Sequence, residues 1–255
     1  MNNEAISNSK DWDATSLRFT GFLAPDVEIK ESDWWKDVVG EPPETRHIQE
    51  KKGLSKSIGL FEEGNLTLKV EPFRVDWFYE VIKKADEVAM TDEVLGSFND
   101  TIPAFVNLMH KWFSSENFPS LQRLAFGAII LKPAETREAG YQILSKYLKS
   151  LKIDAEGSLD LIYRINRPRG SKTELADLKI NRLMTWSVMT ARFLGFDFQH
   201  QKNMYTGQQT FACRLELDIS TFAEPSRQFN VTQCQKLLDE LVQLSVEISQ
   251  NGDIK

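Results

Sequence analysis

The sequence predicts an α+β fold: an antiparallel sheet of about seven strands with three main helices packed on one face. Three observations predict it. Apolar residues alternate with period two in several runs. Three longer runs carry apolar residues at helical spacing. Strand-like runs also follow one another directly, without the regular intervening helices of parallel βαβ units.

The first strand is read at 16–23, ended by Pro25. A short helix follows at 33–39, with Ser32 as N-cap and Gly40 beyond its end. Pro42 and Pro43 then break the chain, and the charged stretch 44–57 reads as a loop. Leu66, Leu68 and Val70 alternate with Thr67, Lys69 and Glu71, which is a half-buried strand. Pro72 separates it from a second strand at 74–81.

The first long helix covers 100–113, where Ile102, Phe105, Leu108, Met109, Trp112 and Phe113 form one stripe. Pro103 lies in its first turn, where a missing N–H is harmless. A buried strand at 123–131 and a helix at 133–151 come next. Strands at 158–165 and 183–194 are joined by a polar loop containing Pro168 and Gly170. In 211–219 the alternation is cleanest: Phe211, Cys213, Leu215, Leu217 and Ile219 against Ala212, Arg214, Glu216 and Asp218. The last helix covers 231–248, striped by Val231, Cys234, Leu237, Leu238, Leu241, Leu244 and Ile248, and stopped by Asn251-Gly252. Residues 1–14 are expected as a flexible polar lead-in to a single domain over 15–255.

No run of 18 apolar residues occurs, so no membrane contact is expected, and the polar N-terminus has no secretory h-region. With only Cys213 and Cys234, both at apolar positions, two reduced buried thiols and a cytoplasmic location follow.

Chemistry is sought by spacing. His47, His110 and His200 have no second His or Cys three or four residues away, so no metal site is expected. There is no Gly-x-Ser-x-Gly elbow, and the thirteen glycines form no phosphate or dinucleotide fingerprint. No catalytic residue and no cofactor is therefore assigned. Glu216 and Asp218 share one strand face, and Asp76 interrupts an apolar run. These three are the carboxylates from which an acid–base site would be built. The plain alternative is a solvated sheet face and a partnered aspartate.

Charge singles out one segment. The net charge is −6, with 21 acids and 12 bases over residues 1–100 (−9) and 16 acids and 19 bases over 101–255 (+3). Four bases, Arg164, Arg167, Arg169 and Lys172, fall within nine residues that hold no acid, and Arg182 follows. Arginine forks suit carboxylate or phosphate, so this segment is the candidate surface for an anion or a partner. The alternatives are a charged connection between strands, or arginines paired with the acidic N-terminal half. Trp34 and Trp35 are adjacent, so both cannot lie on one narrow helical stripe. An exposed one would mark an interface.

The strand ending in Asp76-Trp77, the aromatic helix around Phe105 and Trp112, the strand 123–131, the late alternating strand and the Leu-Leu-Asp-Glu-Leu helix at 237–241 occur in an order that resembles a sporadically distributed, uncharacterised bacterial protein family. The resemblance covers most of the chain and implies no activity. It implies an accessory gene of bacterial defence or toxin–immunity loci. The expected function is a non-enzymatic binding or accessory protein acting through a protein partner or self-association. A nucleic-acid or phosphate-anion binder using the 164–172 segment is the alternative.

Overall fold

The computed structural model describes residues 12–24, 34–82, 94–175, 177–197, 202–224 and 227–253, with side chains left undescribed at 192–197 and 202–208. Eleven strands are present, not about seven: β1 Asp13–Leu23, β2 Thr45–Gln49, β3 Leu54–Phe61, β4 Gly64–Glu71, β5 Arg74–Glu80, β6 Gly96–Ser97, β7 Leu121–Ala134, β8 Ile162–Asn166, β9 Arg169–Gly170, β10 Lys179–Asp197 and β11 Lys202–Thr221. Four helices accompany these strands among the described residues: α1 Trp34–Val39, α2 Phe98–Phe113, α3 Arg137–Tyr147 and α4 Val231–Asn251.

All the strands join one sheet, and every pairing is antiparallel. The order along it is β2-β3-β4-β5-β1-β7-β11-β10-β8, with β6 beside β1 and β9 beside β10. Period-two alternation places the core. On β11, Leu215, Leu217 and Ile219 lie opposite Ile130, Ala128 and Phe126 of β7, and all six are buried. The same face continues through Leu17 and Phe19 of β1 and Tyr79 and Trp77 of β5.

Helices reach the sheet through aromatic contacts. Trp112 of α2 meets Phe19 edge-on, with ring centres 5.8 Å apart. Short α1 packs on α2 as well as on the sheet, so the helices do not form a simple single layer: Trp34 meets Trp112 edge-on while Trp35 stacks on Trp77. Farther along, Tyr147 of α3 stacks on Trp186 of β10, and both touch Trp12. Trp12 is buried and β1 begins at Asp13. No helix among the described residues is long and apolar enough to cross a membrane.

The differences from the sequence reading have physical causes. The expected loop at 44–57 is β2, a 3₁₀ turn at Glu50–Lys52 and the start of β3. All five residues of β2 are exposed, so no apolar alternation marks it. The expected helix at 133–151 begins only at Arg137, where Thr136 caps it by accepting from Ala139 N at 3.1 Å. Pro133 remains in β7, opposite Ala212. The ladder to β1 has already ended at Leu131, so the missing proline N–H leaves no gap there.

Candidate functional site

The basic segment is built around the end of α4. A capping box starts that helix, Asn230 and Gln233 each accepting from the other's backbone N–H. Gly252, in the left-handed region at φ +80°, ends it. A Cβ at Gly252 would fall within 2.1 Å of Tyr147 O, so only glycine fits. The turn delivers Asp253, whose N–H donates to Tyr147 O at 3.1 Å.

Arg167 then grips Asp253 fork to fork. Its Nε donates to Oδ1 and its Nη2 to Oδ2, both at 2.8 Å. Tyr163 Oη donates to Oδ2 at 2.7 Å. The Arg167 hydrogen bonds hold the Asp253 carboxyl below the usual carboxylate range, and the same bonds raise Arg167. Burial, then the bond to Asp253, pushes the Tyr163 phenol up.

The neighbouring arginines are also engaged. Arg169 lies 3.4 Å from Glu240 and 3.9 Å from Glu247, both on α4. Glu240 in turn accepts from Ser171 Oγ and from Lys172 N at 2.7 Å. Arg182 is only 3% exposed and donates through Nε to Arg167 O at 2.7 Å. Burial, then the nearby Arg169, lowers its pKa. Two arginines, Arg167 and Arg169, thus pair with three carboxylates, and Arg182 bonds to the Arg167 carbonyl. The partners come from α4 and the residue after its C-cap, not from the acidic N-terminal half. Arg164 and Lys172 alone of the five bases have exposed side chains. The cluster braces α4 against β8–β10, and its forks are occupied by the protein's own carboxylates.

The two tryptophans are core residues, 3% and 2% exposed. Adjacent rings fit because α1 is wedged between two neighbours. Trp34 turns to α2 and donates through Nε1 to Asn117 O at 3.2 Å, while Trp35 turns to the sheet. There it lies over Gly59, where a Cβ would come within 2.9 Å of its ring.

The carboxylates do not converge. Asp76 is 1% exposed and accepts from Thr20 Oγ1 at 2.6 Å and from Arg74 at 2.8 Å. Glu216 pairs with Arg214 at 2.8 Å, and Asp218 lies 3.7 Å from Arg18. Strands β1 and β7 lie between Asp76 and Asp218, a separation of at least about 14 Å. Each acid has its own arginine, which is a structural arrangement.

Among the described residues no group of three His, Cys, Asp or Glu is placed to hold a metal. His47 lies exposed on β2, His110 sits 3.1 Å from Asp239, and His200 lies outside the described residues. Cys213 and Cys234 are free and buried, and burial pushes both thiols up to about 12.

Two features escaped sequence reasoning. Glu240, Glu247 and Asp253 carry a faint signal, since the two glutamates are seven residues apart and so share one side of α4. The other is β2, at the end of the sheet. Among the described residues no strand pairs with its outer edge. Ile48 on it is 49% exposed, and Leu60 on adjacent β3 is 57% exposed.

No protein-family model matches the chain, and no curated protein and no solved structure is detectably similar to it.

Proposed function

We propose that the chain is a non-enzymatic, cytoplasmic binding or accessory protein that acts through contact with a protein partner or with a second copy. The observation that carries this reading is the outer edge of β2, which no strand among the described residues pairs with. An unpaired strand offers a row of backbone donors and acceptors to another chain, and Ile48 on it is half exposed. The engagement of Arg167 and Arg169 by α4 carboxylates, and the burial of Arg182, count against phosphate or nucleic acid as the ligand of the basic segment. A setting in bacterial defence or toxin–immunity loci is drawn from the family resemblance alone.

Size-exclusion chromatography with light scattering tests the reading, on the purified chain and on material retained from its native host. A larger species that the wild type forms and that an Ile48→Pro variant fails to form is expected. A strict monomer that retains nothing would remove the proposal.

A further inference from the structure

We infer that the β2 edge takes an extended, acidic peptide segment of a partner protein as an added strand; this rests on the protein-contact reading above and names its partner chemistry. Three observations converge on the edge. First, β2 closes the sheet on one side and is exposed at every residue, so its outer backbone groups are accessible. A strand laid beside it at the usual spacing of about 4.8 Å would extend the antiparallel sheet.

Second, the region is basic within an acidic molecule. Over residues 44–56 the bases Arg46, Lys51, Lys52 and Lys56 outnumber the acids Glu44 and Glu50, while the whole chain carries −6. All four bases are exposed, and none is ion-paired among the described residues. The two strand bases lie on opposite sheet faces: Arg46, opposite Ser57, projects to one, and Lys56, opposite His47, to the other. Lys69, next along from Lys56, is already paired with Glu71 at 2.6 Å. An incoming strand would meet a base on either face, and acidic side chains complement both.

Third, Ile48 projects to the same face as Arg46 and is half exposed. It offers an apolar contact beside that base. The matching partner combines acidic with apolar residues. The same charges argue against a second copy, because β2 paired with another β2 would bring two cationic edges together.

A short fluorescein-labelled peptide alternating glutamate with valine is the probe. Lysine–valine and proline-interrupted versions serve as controls, and fluorescence anisotropy is the readout. Binding of the acidic peptide is expected to weaken at least about tenfold in Arg46→Glu/Lys56→Glu protein and as salt rises past the physiological range. That variant leaves the backbone ladder intact, and the lysine peptide should then bind better than the acidic one. Amide hydrogen exchange should slow at 45–49 when the acidic peptide is bound, and Arg164→Ala at the opposite end of the sheet should change nothing. Equal binding of acidic and lysine peptides, or binding of neither, overturns the inference. Concentration-dependent dimerisation through β2 without peptide binding also overturns it, yet leaves the broader protein-contact reading standing.

Discussion

Arg167 and Asp253 are 86 residues apart in the chain and meet in a bidentate ion pair with both contacts at 2.8 Å. The carboxylate is fully shielded from solvent, whereas about a quarter of the arginine side chain (26%) remains accessible. The pair is therefore energetically lopsided, because removing one partner strands the other in a different environment.

Substituting Arg167→Ala leaves a buried carboxylate with Tyr163 as its main remaining donor. A loss of about 3 kcal/mol is expected, at the lower end for a broken buried pair. Asp253→Ala frees a guanidinium that can reach water, and about 1–2 kcal/mol is expected. Urea denaturation of both variants checks the order, and equal losses would show that burial does not set the cost.

The Asp253 carboxyl titrates below its ordinary value because Arg167 donates to it. Its contribution to stability is present above the unfolded carboxylate pKa of about 3.9 and is lost as pH falls through the folded value. Stability curves taken from neutral pH to about pH 2 should therefore fall less steeply for Asp253→Asn than for the wild type. Parallel curves would place the acid sensitivity elsewhere.

Gly252 has no room for a side chain, with Tyr147 O 2.1 Å from any added Cβ. Gly252→Ala should cost more than the roughly 1–3 kcal/mol of backbone strain at this glycine-only conformation, because the backbone must also shift. That shift should carry Asp253 away from Arg167. Adding Arg167→Ala to Gly252→Ala should then cost much less than Arg167→Ala alone. Additive losses in thermal melts would mean the turn and the ion pair are independent.

Cys213 and Cys234 lie in the core with thiols pushed up to about 12 by burial. A thiol-specific disulfide reagent at pH 8 should react with neither in the folded protein and with both in guanidinium chloride. Rapid labelling of the native chain would contradict their burial.

The central strands and the long helices were legible because burial imprints a period. The residues Cys213, Leu215, Leu217 and Ile219 alternate as one buried face demands. The stripe from Cys234 to Ile248 repeats as one packed helix face demands. The candidate sites were less legible. Trp34 and Trp35 looked too close to share a core, yet α1 is short enough for successive positions to face different neighbours. Asp76 interrupts an apolar run because Arg74 and Thr20, which it meets only in the folded sheet, hold its carboxylate.

By itself the sequence determined the α+β class, the antiparallel character of the sheet, the core stripes and the thirteen-glycine pattern that lacks a phosphate fingerprint. These are set by side-chain periodicity and spacing, which are local properties. Tertiary structure alone decided that β2 is an edge strand among the described residues, since a strand exposed on both faces carries no periodic signature. It also decided that the arginines of the basic segment answer to Glu240, Glu247 and Asp253. Ion pairing depends on distance in space, and the residues that meet there are separated by some seventy or more positions in the chain.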